Sequence, residues 1–358
     1  MTENQVIQLE IDGRALKGRP GDTILEVATR EGIRIPTLCY MKGLSIAGAC
    51  RVCMVEVKGA RKPVPACSTP ATEGMVVQTD TEHVRELRRF VLELLLSRHP
   101  QDCMTCEQNG CCALQDLIYE YGIDPRQQPC TLERKPKDES SPVLVRDPNL
   151  CILCGRCVRV CKEVVGKDIY SFGERGIRTD IIVHLNELYA HADTDCVSCG
   201  DCVDACPVGA ITAKTSQRKG RPWQLDRVKT TCSYCGTGCQ LNLHVRDGRI
   251  VSVSGATDDT ADNRGSLCVK GRFGHDYVNS PDRLTSPLVR DGEVLREATW
   301  DEAYARVAER LRSLVAEHGP NAVAGLSSAK CTNEENYLFQ RIFRAELGSN
   351  NIDHCARL

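Results

Sequence analysis

The sequence lacks long apolar runs and has few aromatic residues. Phe, Trp and Tyr make up only 4% of its 358 residues, and no apolar stretch approaches the length needed to cross a bilayer. No apolar N-terminal segment with a small-residue cleavage site and no twin arginine is visible, so an export signal is not expected. The net charge of −2 is near neutral, which argues against nucleic acid as a partner. These absences predict a cytoplasmic protein without a membrane span.

Cysteine, in contrast, is abundant. The chain has 23 cysteines, grouped at the spacings of metal ligands, and so many free thiols suit a reducing compartment. The densest stretch contains two runs with C-x2-C-x2-C-x3-C spacing, and Pro207 follows the second run. Each run offers four thiols within eleven residues, which is too close for a disulfide framework and is the spacing of bacterial two-cluster ferredoxins.

In this spacing the fourth cysteine of each run ligates the cluster of the other run. The first predicted [4Fe-4S] site is Cys151, Cys154, Cys157 and Cys206, and the second is Cys196, Cys199, Cys202 and Cys161. The alternative is a pair of structural zinc sites, because zinc knuckles also use C-x2-C. A zinc site needs no third cysteine at the same spacing, so the runs favour clusters. Two adjacent clusters serve to pass single electrons.

A further cysteine group follows β-type patterning near the N-terminus. Residues 5–11 alternate apolar and polar before a hairpin turn at Asp12-Gly13, and Thr23 with Glu26 predicts a capped short helix. Cys39, Cys50, Cys53 and Cys67 come next. The pattern resembles the electron-input domain shared by the large peripheral subunit of complex I, iron-only hydrogenases and NAD-linked formate dehydrogenases. That resemblance implies a β-grasp ferredoxin domain whose four cysteines hold one [2Fe-2S] cluster, with zinc as the alternative.

The next predicted helix leads to a histidine and four more cysteines. Thr79 and Glu82 predict its start, and its expected buried face is Leu87, Phe90, Val91, Leu94 and Leu95. His99, Cys103, Cys106 and Cys112 resemble the one-histidine, three-cysteine [4Fe-4S] site of the same families. A neutral imidazole in place of a thiolate should raise the potential of such a cluster. The alternative is that His99 caps the helix end and that Cys111 supplies the fourth thiolate.

The last cysteine group lies beyond a basic linker over residues 214–221 and comprises Cys232, Cys235, Cys239 and Cys268. It resembles the N-terminal [4Fe-4S] domain of molybdopterin oxidoreductases of the formate dehydrogenase and nitrate reductase superfamily. By that resemblance the four cysteines hold a [4Fe-4S] cluster, and Lys270 lies between cluster and pterin; the alternative is an ordinary surface lysine. Helix caps at Thr299 and Thr332 then predict an α/β region.

The predicted fold class is α+β multidomain. The expected domains are a β-grasp [2Fe-2S] ferredoxin domain (1–80), a His/Cys-ligated [4Fe-4S] domain (81–125), a bacterial-type two-cluster [4Fe-4S] ferredoxin domain (140–215), a molybdopterin-oxidoreductase [4Fe-4S] domain (225–282) and an incomplete molybdopterin-binding α/β domain (283–358). Together they predict one [2Fe-2S] and four [4Fe-4S] clusters. The cysteines left unassigned are Cys111, Cys130, Cys331 and Cys355.

The series of motifs resembles the N-terminal part of the alpha (catalytic) subunit of a cytoplasmic NAD(P)-dependent formate dehydrogenase. The family oxidises formate to carbon dioxide at molybdenum or tungsten bound to molybdopterin guanine dinucleotide. Its electrons leave through the clusters to a partner subunit that binds flavin, NAD(P) and iron–sulfur clusters. The alternative is a complex I-like or hydrogenase-associated electron-transfer subunit without its own catalytic site.

The end of the sequence adds an expectation about length. Residues 336–358 resemble the start of the formate dehydrogenase catalytic domain, and Cys355-Ala-Arg-Leu358 stops one residue before the family's metal-ligating selenocysteine or cysteine. We therefore expect the native protein to continue with selenocysteine, whose UGA codon was read as a stop. On this expectation no complete catalytic site lies in these 358 residues, and the missing C-terminal catalytic domain is a necessary partner.

Overall fold

The computed structural model describes residues 6–127, 130, 133–183, 194–215, 220–258 and 260–355. The chain divides into two units, Met1–Leu225 and Asp226–Leu358, and each combines helices with strands. Parts of the insertion between the cysteine runs, part of the basic linker, and the final three residues of the catalytic-domain pattern lie outside the described residues. Within the described ranges, no helix has the length and apolar character needed to cross a membrane.

The first unit begins with a five-stranded sheet in the order β2-β1-β5-β3-β4. Its strands are β1 (Ile7–Ile11), β2 (Arg14–Gly18), β3 (Met54–Val57), β4 (Val64–Pro65) and β5 (Met75–Gln78). The predicted hairpin joins β1 to β2, with φ of 51° at Asp12 and 78° at Gly13, as a two-residue turn requires. Strand β5 runs parallel to β1, and helix α1 (Ile24–Arg30) starts at the predicted Thr23–Glu26 capping box. Apolar residues of the helix and the sheet form one core.

Helix α2 (Glu82–Leu96) differs from its prediction in both start and orientation. Its N-cap is Thr81, while Thr79 binds the Asp12 carboxylate through its amide and hydroxyl groups. The predicted buried face is wrong at Phe90 and Leu94, which are more than half exposed. The residues buried instead are Val84, Arg88, Leu92 and Leu96. A broad apolar stripe predicts that a helix forms, whereas the neighbouring elements decide which part of the stripe they cover.

Arg88 connects α2 to the sheet from inside the protein. It is 2% exposed, and its guanidinium donates to the carbonyls of Val52 (3.1 Å), Met54 (2.8 Å) and Thr79 (2.9 Å). A fourth hydrogen bond, 3.0 Å long, reaches the hydroxyl of Tyr121. Because the guanidinium has five donors in a rigid fork, one side chain satisfies several buried acceptors at once.

The rest of the first unit surrounds the two cysteine runs. Its elements are α3 (Ala113–Glu120), β6 (Leu144–Arg146), α4 (Arg156–Arg159), β7 (Tyr170–Gly173), β8 (Asp180–Val183), α5 (Asp201–Ala205) and β9 (Ile211–Ala213). Strand β6 pairs antiparallel with β9, and β7 pairs antiparallel with β8 to form a hairpin between the two cysteine runs. Helix α4 continues as a π-helix over Val160–Val165, and we call the combined segment 156–165 the central helix.

The second unit has an antiparallel part followed by an α/β part. Strands β10 (Asp226–Thr231), β11 (Gln240–Arg246) and β12 (Arg249–Gly255) form one sheet; helix α6 (Val269–Phe273) and the hairpin of β13 (Leu288–Asp291) and β14 (Val294–Glu297) follow. The α/β part comprises α7 (Trp300–His318), β15 (Gly325–Ser327), α8 (Asn333–Arg341) and β16 (Ile352–His354), with β15 parallel to β16. Thr299 and Thr332 cap α7 and α8 as predicted.

Replacing Arg88 by Met tests the buried connection between α2 and the sheet. The change leaves buried carbonyls without a donor, and we expect the free energy of unfolding to fall by about 3 kcal/mol. Urea denaturation of the cluster-loaded chain measures this loss. Arg89→Met is the matched control, since Arg89 is exposed on the same helix and its loss should cost less than about 0.5 kcal/mol. Equal stability of the two variants would contradict the connecting role of Arg88.

Candidate metal centres

The four N-terminal cysteines converge beside the first sheet. Cys39, Cys53 and Cys67 are almost fully buried, and the Cys50 amide donates to Cys39 Sγ at 3.5 Å. Hydrogen bonds from the Cys50 and Cys67 thiols lower the pKa of Cys39 to about 2. The hydrogen bond with Cys67 is also the largest cause that lowers the pKa of Cys53, to about 7. The same hydrogen bonds raise the pKa of Cys50 and of Cys67, which are the donors. The four sulfurs therefore form one hydrogen-bonded group in which Cys39 and Cys53 favour the thiolate and Cys50 and Cys67 favour the thiol.

His99 and three of the predicted cysteines line one small cavity. The residues lining it include His99, Cys103, Cys106 and Cys112. Burial lowers the pKa of His99 to about 4, so the imidazole is neutral at pH 7. Its Nδ1 atom is buried and has no hydrogen-bond partner among the described residues. A neutral ring with an unsatisfied nitrogen has the chemistry of a metal ligand and not of a cationic helix cap.

Cys111 is placed differently from its neighbour Cys112. Cys111 is exposed and its thiol donates to Gln108 Oε1 at 3.0 Å, whereas Cys112 is buried and burial raises its pKa to about 11. The geometry therefore favours His99 over Cys111 as the fourth member of this group. Gly209 closes the cavity from the loop after Cys206, where an added Cβ would approach Cys106 Sγ to 2.7 Å.

The two cysteine runs have the same local backbone. The residue before the second cysteine has positive φ in both, 55° at Leu153 and 53° at Ser198. The glycine after that cysteine is also left-handed, with φ of 65° at Gly155 and 79° at Gly200, and it caps a short helix. These turns bring successive cysteines to one side of each loop, and glycine permits the second positive φ without steric cost.

The fourth cysteine of each run approaches the opposite run. Burial, and then the charges of Cys151, Cys154 and Cys206, raise the pKa of Cys157 well above its usual range. The corresponding group around Cys202 involves Cys199, Cys196 and Cys161; burial raises the pKa of Cys202 to about 12. Cys206 thus joins the first run and Cys161 joins the second. This proximity is compatible with the exchange of fourth ligands, which stays a prediction from the spacing.

Backbone amides and one phenol point at these sulfurs. The amide of Leu153 donates to Cys151 Sγ at 3.4 Å, and the amide of Ile169 donates to Cys161 Sγ at 3.4 Å. The hydroxyl of Tyr170, itself buried, donates to Cys202 Sγ at 3.5 Å. Such donors favour the thiolate form that a metal requires and influence the reduction potential of a bound cluster.

The last cysteine set lies in the second unit and is more exposed. Cys232 is buried and its amide donates to the Cys239 carbonyl at 2.8 Å, whereas Cys268 is exposed at the start of α6. Burial, followed by the charges of Cys232, Cys235 and Cys268, raises the pKa of Cys239. Hydrogen bonds from Thr237 lower the pKa of Cys235, with a smaller contribution from the positive charge of Lys270. Lys270 therefore lies close enough to act on this set electrostatically.

A second feature of this unit is a cavity of about 370 Å³ at the α/β part. It lies at the carboxyl ends of β15 and β16, and its polar lining includes Ser327, Ser328, Asn336, Arg344 and Asp353. Crevices at this edge of a parallel sheet are common ligand sites. Two unassigned cysteines lie nearby in the chain: Cys331 is half-buried, and Cys355 lies 3.4 Å from the Ser328 hydroxyl.

The structure also shows which sets are neighbours, a feature that spacing did not predict. The set of Cys151, Cys154, Cys157 and Cys206 interacts electrostatically with Cys39 through Cys154 and with Cys202 through Cys157. Through Gly209, three residues beyond Cys206, it borders the His99 set. Residues of this one predicted cluster site are therefore neighbours of residues from each of the other three sites in the first unit.

The donor chemistry of these sets fits iron–sulfur clusters. Sulfur predominates, the thiols of the first unit are largely buried, and amide donors face several of them. Across the described residues, no three His, Cys, Asp or Glu side chains converge closely enough to hold a single metal ion. The residues that would hold the clusters are the five sets predicted from the sequence, and members of each set are neighbours in the structure.

Protein families match the chain in series. The matches are the 2Fe-2S iron–sulfur cluster binding domain (4–82), the NADH-ubiquinone oxidoreductase-G iron–sulfur binding region (88–127), the ferredoxin-like domain of NADH-quinone oxidoreductase subunit 3 (141–212), the molybdopterin oxidoreductase Fe4S4 domain (225–280) and the molybdopterin oxidoreductase family (283–358). The chain is thus an oxidoreductase segment with both 2Fe-2S and 4Fe-4S domains.

Individual proteins resemble the chain along almost its whole length. The NADPH-Fe(3+) oxidoreductase subunit alpha of Geobacter sulfurreducens is 42% identical, and the match covers 99% of this chain and 40% of that protein. An NADH-quinone oxidoreductase subunit of Rhizobium meliloti is 40% identical over 98% of this chain and 40% of its own length. A Staphylococcus aureus relative, named as a candidate formate dehydrogenase, is 31% identical over the full chain and 39% of its own length.

The chain therefore spans about 40% of the length of the curated relatives that it matches. A solved structure of an NAD+-reducing [NiFe]-hydrogenase in the H2-reduced state is similar with a TM-score of 0.56 and 32% identity, covering 60% of this chain and 90% of that one. The chain belongs to the family of iron–sulfur electron-transfer subunits that includes NADH-ubiquinone oxidoreductase-G and the N-terminal regions of molybdopterin oxidoreductases.

Proposed function

We propose that the chain conducts electrons through five clusters between an NAD(P)- and flavin-binding partner subunit and a molybdopterin site. When bound, the clusters supply one-electron transfer, and this chain holds and insulates them. The observation that carries the proposal is the convergence of the four sets of the first unit, with the Cys151–Cys206 set bordering the other three. The Cys232 set, with Lys270 beside it, is the proposed exit toward the pterin.

We propose one ligand assignment for each set, and the proximity of the side chains within each set supports it. Cys39, Cys50, Cys53 and Cys67 hold the [2Fe-2S] cluster. The four [4Fe-4S] clusters are held by His99, Cys103, Cys106 and Cys112; by Cys151, Cys154, Cys157 and Cys206; by Cys196, Cys199, Cys202 and Cys161; and by Cys232, Cys235, Cys239 and Cys268. We propose domain bounds of 1–80, 81–125, 140–215, 225–282 and 283–358 around these sets. We place the protein in the cytoplasm, where thiols stay reduced.

For the reaction at the far end, we propose formate oxidation at molybdenum or tungsten held by molybdopterin guanine dinucleotide. The Staphylococcus aureus relative and the molybdopterin oxidoreductase match at 283–358 support this. The cavity at β15 and β16 supports it too, because it offers Ser, Asn and Arg side chains to a phosphorylated cofactor. The more similar Geobacter sulfurreducens and Rhizobium meliloti relatives favour the second candidate, an electron-transfer subunit of an NAD(P)H-driven complex without formate chemistry.

Metal and cofactor analysis of the assembled complex tests both the ligand assignments and the proposed formate chemistry. We expect about eighteen irons per chain from one [2Fe-2S] and four [4Fe-4S] clusters. We also expect pterin with molybdenum or tungsten, and formate-dependent reduction of NAD(P). Zinc in place of iron would overturn the ligand assignments. Full iron with NAD(P)H-reducible clusters but no pterin would reject formate chemistry and support the second candidate.

Replacing His99 by Cys tests the histidine ligand. A thiolate adds negative charge to the cluster that the neutral imidazole does not, so the variant should keep its cluster and lower its reduction potential. An EPR-monitored redox titration measures the shift. Cys111→Ser is the control and should leave the spectrum and the potential unchanged. If Cys111→Ser removes the cluster while His99→Cys leaves the titration unchanged, Cys111 and not His99 is the ligand.

A further inference from the structure

The central helix carries two different sets of residues on opposite sides. Cys157 and Cys161 lie four residues apart and belong to the two [4Fe-4S] sets. Arg156, Arg159 and Glu163 follow the spacing of the other helix face and reach the loop that starts at Cys39. One helix therefore contributes ligands to two proposed clusters and also contacts the loop of a third.

The contacts with the Cys39 loop are numerous and short. The Arg156 guanidinium donates to the Tyr40 carbonyl at 2.5 Å. Both oxygens of the Glu163 carboxylate accept from Ser45, from its amide at 2.7 Å and from its hydroxyl at 2.5 Å. These contacts join segments that are more than 110 residues apart in sequence. They hold the loop between Cys39 and Cys50 against the two-cluster region.

Arg159 connects the Cys39 loop directly to the Cys154 loop. One terminal nitrogen donates to the carbonyl of Cys39 at 2.6 Å and to the carbonyl of Cys154 at 3.2 Å. Its other groups donate to the carbonyls of Ser45 (2.5 Å) and Gly155 (3.2 Å). Every one of these acceptors is a neutral carbonyl. The carboxylate on the next turn, Glu163, accepts hydrogen bonds from Ser45, which are the largest causes of its lowered pKa, and the charge of Arg159 contributes less.

We infer that Arg159 is a bridging residue between two neighbouring cluster sites, fixing the Cys39 loop against the Cys154 loop and raising the reduction potentials of both clusters. The inference rests on the ligand sets proposed above. A guanidinium stays charged under all ordinary conditions, and its fork reaches two carbonyls at once. A positive charge beside a cluster favours the reduced, more negative state, since net charge and hydrogen bonding set cluster potentials. Because the same side chain contacts both loops, both potentials should respond together.

Three variants of the cluster-loaded chain test the bridging role of Arg159. Arg159→Gln removes the charge and the fork. Arg159→Lys keeps the charge and loses the fork. Lys162→Gln removes a charge from the exposed side of the same helix, where Lys162 pairs with Asp168 at 3.3 Å and is 65% exposed. The two cluster signals are followed by EPR during titration with dithionite, and the [4Fe-4S] signal is assigned by its change in Cys154→Ser.

For Arg159→Gln, poised at each wild-type midpoint, we expect the reduced-to-oxidised ratio of both clusters to fall about tenfold, which corresponds to about 59 mV for one electron. For Lys162→Gln the ratio should change by less than about twofold, because water and salt screen an exposed charge. Arg159→Lys should also stay within about twofold of the wild-type ratio, while hydrogen exchange in residues 39–50 becomes faster.

The outcomes distinguish a failure of the proposed bridging role of Arg159, called the bridge below, from a failure of the ligand assignment. If the wild-type chain lacks either cluster signal, the proposed ligand sets fail. If both signals are present and Arg159→Gln shifts neither or only one, the bridge alone is overturned. An equal shift in Lys162→Gln would also overturn it, by showing a general charge effect. If Arg159→Gln does not load its clusters, Arg159→Lys decides: unchanged exchange in residues 39–50 overturns the bridge, and faster exchange supports it.

Discussion

Burial of cysteine thiols is the constraint on which the first unit depends. Protein interiors disfavour the thiolate, and burial raises the pKa of Cys157, Cys202 and Cys206, the latter to about 11. Metal ligation requires the thiolate, so cluster binding must supply the compensating charge. Cys112 lies in the apolar core with Leu92 and Leu114, and Cys50, Cys151 and Cys206 pack against that core. Core formation and cluster loading are therefore coupled, and the clusters act as part of the interior.

The central helix couples core formation to cluster binding within one short segment. Its turns bury ligands of two proposed clusters on one side and present Arg156, Arg159 and Glu163 to the Cys39 loop on the other. The buried guanidinium of Arg88 plays a comparable part between α2 and the first sheet. In both places an arginine donates to backbone carbonyls of a second domain-like region. Charged side chains, and not apolar surface alone, fix how the small cluster-bearing regions pack together.

The same cluster-bearing region occurs in proteins with different names. Relatives include an NADPH-Fe(3+) oxidoreductase subunit, an NADH-quinone oxidoreductase subunit and a structure of an NAD+-reducing hydrogenase. A region that only accepts and passes electrons imposes little on the chemistry at either end, so one arrangement serves several reactions. The second unit of this chain adds the Cys232 set, Lys270 and the cavity at β15 and β16.

Sequence spacing predicted the two central cysteine runs, and resemblance to known families predicted the other cysteine sets and the approximate folds. Ligand spacing is a local property, because each run must wrap one cluster, and the positive-φ glycines at Gly155 and Gly200 lie within those runs. Capping boxes at Thr23 and Thr332 were likewise readable, since a cap involves residues three apart. Only the tertiary structure decided that Thr81 and not Thr79 caps α2, that Arg88 is buried, and that Arg159 joins Cys39 to Cys154. These features depend on segments distant in sequence, whose approach is determined by packing and hydrogen bonding across the whole unit and not by local periodicity.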